Sequence, residues 1–243
     1  MNNNINVRPI HYACVSGGKD SLYMFYYILN NIEKYPLDMV VHYELEIDYP
    51  FIKNVIEKIK KICDKLSIKF ISIKPRKSFN ELYEKYGYPT RVARWCNGHY
   101  KMDCARQINE IIKSWGCRPL AYIGFCANEK KRFKYIIGDW INNDCCYPLA
   151  EENITEDKIL EWAKQQPIFN NYYNFFNRCG CMGCPCATYK EFAYLFQYYP
   201  KEYKNIIDKI EETEKRFKFQ YFKKPIGEMK KKFETKSLTI SLF

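Results

Sequence analysis

The sequence predicts an α/β fold built on a doubly wound parallel sheet, and three observations lead to this prediction. Short apolar runs alternate with segments of helical periodicity over the first two thirds of the chain. The first run, 11–15, ends in a glycine-rich turn, and the segment 22–29 then places its apolar residues on one helix face. Strands that alternate with helices form parallel sheets, which bind ligands at the carboxyl ends of their strands.

The remaining elements follow from the same periodicities. Further strands are predicted at 40–43, 69–73 and 120–125, with Tyr147-Pro148-Leu149 closing a possible fifth. Helices are predicted at 52–66, 79–86, about 101–115 and 156–164, the last with Thr155 as its N-cap. After Gln166 the composition changes to an aromatic segment, a cysteine-rich loop, two helices and a basic tail. We therefore predict an α/β domain over 1–166 and a small helical, cysteine-rich part over 167–243.

Composition limits the class of protein and its compartment. Hydrophobic residues make up 47% of the 243 residues, which is enough for a packed core. The formal charge of +11 favours a polyanionic partner, although a lysine-rich solvated surface explains it equally well. No apolar run is long enough to cross a bilayer, and residues 1–7 hold no apolar signal core. We expect a cytoplasmic protein, in which the 12 cysteines serve metal or redox chemistry rather than disulfides.

The turn after the first strand has the composition of a phosphate-binding loop. Its sequence is Ser16-Gly17-Gly18-Lys19-Asp20-Ser21. A strand–turn–helix directs free backbone N–H groups at one point, and glycines let the backbone approach a phosphate closely. The serine hydroxyls and Lys19 add donors, and Asp20 can hold Mg²⁺ against a pyrophosphate. The spacing differs from a Walker A loop, and the alternative is an ordinary Gly-Gly turn capped by Ser and Asp.

The hexapeptide resembles the PP-loop of the ATP pyrophosphatases, written S-G-G-x-D-S. That resemblance implies an adenine nucleotide alpha hydrolase-like fold that binds ATP at Ser16, Gly17, Gly18, Lys19, Asp20 and Ser21. It further implies attack on the α-phosphate of ATP, transfer of AMP to a substrate and release of pyrophosphate.

Later segments resemble the phosphoadenosine phosphosulfate (PAPS) reductase-like branch of this superfamily. They are Arg94-Trp95-Cys96 with Lys101, the segment 124–132, Tyr147-Pro148-Leu149, and Arg178 with 181–185. In 124–132 a cysteine, Cys126, stands where the branch has arginine. The resemblance implies nucleotide binding by Gly124 and Glu129, and catalytic roles for Lys19, Asp20, Arg94, Lys101 and Arg132. The three cations after Asp20 can neutralise a departing pyrophosphate, or form ordinary surface ion pairs.

Four cysteines lie within eight residues, at Cys179, Cys181, Cys184 and Cys186. Thiolates at this density suit an iron–sulfur cluster or Zn²⁺, and metal-free thiols that carry a persulfide are a further alternative. Resemblance to adenylyl sulfate reductases adds Cys96 and implies a 4Fe-4S cluster held by Cys96, Cys181 and Cys184. The fourth ligand is then Cys179, Cys186 or an open iron position.

These features predict an ATP-dependent sulfurtransferase that adenylates a nucleotide or nucleic acid, with tRNA or DNA as candidate macromolecular partners. A cysteine desulfurase or another donor would supply the sulfur. The aromatic segment 172–176 suits either base stacking or core packing. One alternative is a sulfonucleotide reductase, although the chain lacks the E-C-G-[IL]-H motif of true PAPS reductases. Another is a metal-stabilised nucleic-acid-binding protein without catalysis.

Overall fold

The computed structural model describes residues 7–129, 144–218, 220–221 and 226–235. Its contacts divide the chain into two compact units, each assembled from separate segments. The first unit contains residues 1–44, 50–75 and 103–179, and the second contains 45–49, 76–102 and 180–243. Residues 167–179 thus group with the first unit, whereas the predicted domain boundary lies near residue 166. That boundary, as a division between separate domains, stays a prediction.

A five-stranded sheet forms the centre of the first unit. Its strands are β1 (Pro9–Cys14), β2 (Met39–Tyr43), β3 (Lys69–Ile73), β4 (Arg118–Tyr122) and β5 (Asp144–Cys146). Their order is β3-β2-β1-β4-β5, and every neighbouring pair is parallel. The predicted α/β class with a doubly wound parallel sheet is confirmed. The fifth strand ends before Tyr147, because Pro148 begins a short helix instead.

The helices follow the predicted order. They are α1 (Lys19–Leu29), α2 (Pro50–Lys65), α3 (Phe79–Tyr86), α4 (Met102–Ser114), α5 (Pro148–Glu151), α6 (Glu156–Lys164), α7 (Tyr172–Phe175), α8 (Tyr189–Tyr198), α9 (Pro200–Phe217) and α10 (Ile226–Thr235). One turn of π-helix, Cys96–Lys101, precedes α4, and 3₁₀ turns lie at Ala127–Glu129 and Pro167–Phe169. Thr155 does occupy the N-cap position of α6, but its side chain makes no capping hydrogen bond.

The core of the first unit lies between the sheet and a helix. Apolar side chains of β1, β2 and β4 meet the apolar stripe of α4, as its helical periodicity predicts. Cys104 belongs to this cluster and is completely buried, so its thiol packs as a small hydrophobe. Among the described residues, no helix is both long and apolar enough to span a bilayer.

Candidate functional site

The segment Ser16–Ser21 begins at the carboxyl end of β1. At this strand, the direction in which the chain adds further strands to the sheet reverses. β1 pairs with β2 on one side and with β4 on the other. The chain builds outward to β3 on the first side before it crosses to β4 on the second. This is the topological switch point at which doubly wound sheets bind their ligands. The predicted phosphate loop therefore lies where the fold itself favours a ligand.

Side chains of the loop close it with their own hydrogen bonds. The amide of Ser16 donates to Oγ of Ser21 at 3.1 Å, and the two serine hydroxyls lie 3.2 Å apart. Ser21 Oγ also donates to the carbonyl of Gly18 at 3.0 Å. Both hydroxyls are thus bonded within the loop, so that a phosphate would have to redirect them.

The two glycines of the loop meet different constraints. Gly17 has φ +76°, and a Cβ there would lie 2.7 Å from Cγ2 of Ile52. Gly18 is the N-cap of α1 with φ −77°, and a Cβ would lie 3.6 Å from its nearest neighbours. Only the first position demands glycine on both conformational and steric grounds.

Lys19 is buried, with 1% of its surface exposed, and its ammonium group is held by two carboxylates. Nζ donates to Oδ1 of Asp20 at 2.8 Å and to Oε1 of Glu156 at 3.0 Å. Burial lowers the pKa of Lys19, but the charge of Asp20 and both hydrogen bonds outweigh it, so the net shift is upward. Lys19 therefore carries its charge inside the loop, paired rather than facing open solvent.

Glu156 was missed by sequence reasoning. It is the first residue of α6, where the positive end of the helix dipole favours a carboxylate. The amide of Glu156, one of the free donors at the start of the helix, donates to Oδ1 of Asn128 at 3.2 Å. An acid in the first turn of a helix is too common in sequences to have indicated a partner 137 residues away.

Asp20 faces the turn that follows β4. The thiol of Cys126 donates to Oδ1 of Asp20 at 3.5 Å. Burial raises the pKa of the Asp20 carboxyl, and the charge of Lys19 offsets part of that shift. Because Cys126 stands where the branch that the sequence resembles has arginine, this chain places a neutral, buried donor beside the proposed Mg²⁺ ligand.

The segment 124–129 fixes the loop from one side. A Cβ at Gly124 would lie 3.0 Å from the carbonyl oxygen of Asp20, so this glycine permits close backbone packing. Glu129 accepts a hydrogen bond from the amide of Cys126 at 3.1 Å. Gly124 and Glu129 therefore have evident structural roles beside the loop, and nucleotide binding by them stays a prediction. Arg132 lies outside the described residues.

The aromatic segment of α7 also reaches the loop. The hydroxyl of Tyr173 accepts a hydrogen bond from the amide of Lys19 at 2.8 Å. This bond occupies one of the N–H donors that we expect to bind phosphate. Tyr172 is 0% exposed and Tyr173 is 1% exposed. Tyr173 also packs edge-on against Phe169, with their ring centroids 4.7 Å apart. Of the two alternatives for this segment, the structure supports core packing.

A cavity in the second unit gathers three of the predicted cysteines. Its lining includes Cys96, Cys181 and Cys184, together with Arg94 and Lys101. Lys101 donates a hydrogen bond to the thiol of Cys181, and Asp48 lies close enough to influence both groups. Asp48 was not expected from the sequence, because nothing in its surroundings marks it as part of a site.

Electrostatics at this cavity couple the thiols to Lys101. Burial, together with the charges of neighbouring Cys181 and Cys184, raises the pKa of Cys96 to about 11. The pKa of Cys181 is also raised, mainly by burial, whereas Lys101 opposes the shift. Negative charge on Cys181 in turn raises the pKa of Lys101. Lys101 is therefore a cation that stabilises a thiolate, which is the form that binds metals.

The turn 181–184 is held from several directions. The amide of Met182 donates to the carbonyl of Ile47 at 2.8 Å, and Cys184 N–H donates to the carbonyl of Cys181 at 3.0 Å. Gly183 has φ +66°, and a Cβ there would lie 2.3 Å from the hydroxyl of Tyr88. Glycine at this position thus lets the turn pack against Tyr88. The Tyr88 hydroxyl donates a hydrogen bond to the carbonyl of Gly183 at 3.1 Å.

The donor chemistry of the cavity fits a thiophilic metal group. Three thiols of Cys96, Cys181 and Cys184 border one space beside a cation that favours thiolates. Across the described ranges, no three His, Cys, Asp or Glu side chains are already arranged as a metal-binding shell. Cys186 does not line the cavity, and Cys179 groups with the first unit. The fit therefore lies in ligand type and shared location, and the predicted set of ligands stays a prediction.

Comparison with known proteins gives distant similarities. No protein-family model matches the chain. An uncharacterised protein of Methanocaldococcus jannaschii is 26% identical over 205 residues. The aligned region covers 79% of this chain but only 46% of the relative's own length. The U34-tRNA thiolase NcsA of Methanococcus maripaludis, solved with its 4Fe-4S cluster, superposes with a TM-score of 0.45 and 16% identity. The superposition covers 96% of this chain and 75% of the thiolase. These similarities do not by themselves assign the chain to a family.

Proposed function

We propose that the chain is an ATP-dependent sulfurtransferase of the PP-loop superfamily, most similar to its PAPS reductase-like branch. The observation that carries the proposal is the loop Ser16–Ser21 at the switch point of the sheet, with a buried Lys19 paired to Asp20. Backbone amides, a cation and a carboxylate at one such place match the needs of a magnesium nucleotide. The cysteine-lined cavity adds the sulfur chemistry.

The loop residues would activate the substrate. Amides of the loop and the N-terminus of α1 bind the triphosphate, and Lys19 offsets its negative charge. Asp20 would hold Mg²⁺, which supplies further charge neutralisation. A substrate oxygen then attacks the α-phosphorus, a new P–O bond forms, and the bond to the β-phosphate breaks to release pyrophosphate. Binding requires Tyr173 to yield the amide of Lys19 to a phosphate oxygen.

The cysteines would deliver sulfur. Cys96, Cys181 and Cys184 would hold a 4Fe-4S cluster or Zn²⁺, which when bound would present or stabilise sulfide. A sulfide nucleophile attacks the activated carbon, a C–S bond forms, and the C–O bond to AMP breaks. If the sulfur arrives as a cysteine persulfide, a second thiol must break the S–S bond and form a disulfide. Lys101 favours the thiolate of Cys181 and so opposes the burial that raises the pKa of this thiol.

The substrate is proposed to be a nucleic acid, with tRNA as the leading candidate and DNA as the alternative. The positive charge of the chain, +11, supports a polyanionic substrate. A cysteine desulfurase or a related donor would supply the sulfur.

The test is the release of labelled pyrophosphate from γ-labelled ATP, together with AMP formation from α-labelled ATP, by the anaerobically purified chain. We expect Asp20→Asn to lower the rate about 100-fold, because it removes the charge that holds Mg²⁺. Asp157→Asn is the matched control, since Asp157 is exposed on α6 and we expect its rate to be unchanged.

The same preparation separates the alternatives. A sulfonucleotide reductase would release sulfite from an adenylyl sulfate compound and would not consume ATP. A nucleic-acid-binding protein without catalysis would bind RNA equally well after Ser16→Ala and Asp20→Ala. Either result, with no pyrophosphate released by the wild-type chain, would contradict the proposed function.

A further inference from the structure

A stretch without acidic residues surrounds Cys96. Residues 85–101 contain four lysine or arginine residues and one histidine, but no aspartate or glutamate. Within it, the runs 91–94 and 97–99 are exposed, and between them Trp95 is buried and Cys96 is half-buried. One cysteine of the cavity is therefore bordered along the chain by exposed residues that include cations but no acidic side chain. We call Lys85, Tyr86, Arg91, Val92 and His99 the basic rim.

The rim presents flat and apolar groups as well as charge. The rings of Tyr86 and His99 stack with centroids 5.6 Å apart and planes 11° apart, and Lys85 lies 4.9 Å from the Tyr86 ring centroid. Val92 is 97% exposed, so its side chain is open to contact with a partner. Stacked rings with adjacent cations are the means by which proteins bind unpaired bases.

Three hydrogen bonds hold the part of the chain that carries the rim. Nε1 of Trp95 donates to the carbonyl of Gly87 at 3.0 Å, and Nε of Arg91 donates to the carbonyl of Pro185 at 3.2 Å. The turn between them closes through the amide of Ala93, which donates to Oγ1 of Thr90 at 2.9 Å. A surface fixed before binding loses little entropy when a partner docks, so its exposed groups suit recognition.

We infer that the basic rim binds an unpaired segment of nucleic acid and presents one of its bases to the cysteine-lined cavity. This inference rests on the proposed function, since it names the surface that receives the substrate. Phosphates would contact the rim cations, while a base would stack on the Tyr86–His99 pair. An acidic protein would satisfy the charges but would leave the stacked rings without a matching partner, so we favour nucleic acid.

The test measures the affinity of a fluorescent, unstructured RNA of about ten nucleotides by anisotropy at several salt concentrations. We expect the double variant Lys85→Gln, Val92→Glu to raise Kd about tenfold. The loss of one phosphate contact should also reduce the slope of log K against log salt by about 0.7. Lys61→Gln with Leu66→Glu makes the same chemical changes at exposed positions of the first unit, and we expect no change in Kd.

Two competitors and a second binding measurement identify the occupant. An unlabelled single strand should displace the probe at lower concentration than a duplex of the same length or poly-glutamate. Equal displacement by all three, or equal Kd values for rim and control variants, overturns the inference. Calorimetry with magnesium ATP on the same proteins should give wild-type affinity for every variant. If the wild-type chain does not bind ATP, that result would instead contradict the proposed function, whatever the RNA affinity.

Discussion

The phosphate loop and the cysteine-lined cavity differ in how far they are prepared for their ligands. In the loop, the hydroxyls of Ser16 and Ser21, the ammonium of Lys19 and its amide all have protein partners. At the cavity, three thiols share one space without forming a metal-binding shell in the described part of the chain. A ligand at the loop must therefore replace hydrogen bonds that already exist within the protein. A metal group at the cavity would instead bring the thiols into a coordination geometry that they do not yet have.

This difference affects what each region can tolerate. The loop is stable without nucleotide, because its buried polar groups already form hydrogen bonds within the protein. The cavity instead holds thiols of raised pKa, such as Cys96 and Cys181, until a metal group stabilises their thiolates. Substitutions at the loop should thus act on folding and affinity together, while those at the cavity should act mainly on metal content.

The largest effect on metal content is expected at the cavity. Cys181→Ser should lower bound iron at least tenfold after anaerobic reconstitution with iron and sulfide, because the hydroxyl is a poor ligand for a soft metal group. Iron per chain and the visible absorption band provide the measurement. Cys117→Ser is the matched control, since Cys117 groups with the first unit and does not line the cavity. Equal iron in both variants would remove Cys181 from the ligand set, and a colourless protein with zinc would select zinc.

The sequence predicted those parts of the molecule that depend on local pattern. Strand β3 and helix α3 have their predicted bounds. The apolar patterns of strands and helices repeat every two and about every 3.6 residues, so they can be read from a short stretch of sequence. The loop Ser16–Ser21 was predicted for the same reason, since strand, turn and helix follow one another directly. Such elements need no knowledge of distant contacts.

Contacts between distant segments were not predictable in this way. The pairing of Lys19 with Glu156, the bond from its amide to Tyr173, and the position of Asp48 beside Lys101 each join residues far apart in sequence. Long-range packing decides these contacts, and the residue types involved have no distinctive local spacing. Sequence reasoning therefore predicts candidate ligand-binding groups from local motifs, but it did not predict the contacts that hold these groups in place.

A smaller effect is expected at the glycines of the loop. Gly17→Ala should lower the free energy of unfolding by about 2 kcal/mol, because alanine is strained at positive φ and its Cβ would press on Ile52. Gly18→Ala should cost less than about 1 kcal/mol, since Gly18 has an extended backbone and room for a methyl group. Urea unfolding of both variants measures the difference. Equal losses would mean that the backbone conformation of Gly17 contributes little to the loop.

The smallest expected effect concerns the second carboxylate on Lys19. Glu156→Gln keeps an oxygen that can accept from Lys19 but removes a charge, so Lys19 should draw Asp20 closer and weaken its hold on Mg²⁺. We expect about a threefold rise in the Kd for ATP at limiting Mg²⁺, corresponding to about 0.7 kcal/mol, and less at saturating Mg²⁺. Glu161→Gln, on the exposed face of the same helix, should change neither value. In a Lys19→Gln background the Glu156 substitution should add nothing, because its effect acts through Lys19. An additive effect in that double variant would show that Glu156 acts independently of Lys19.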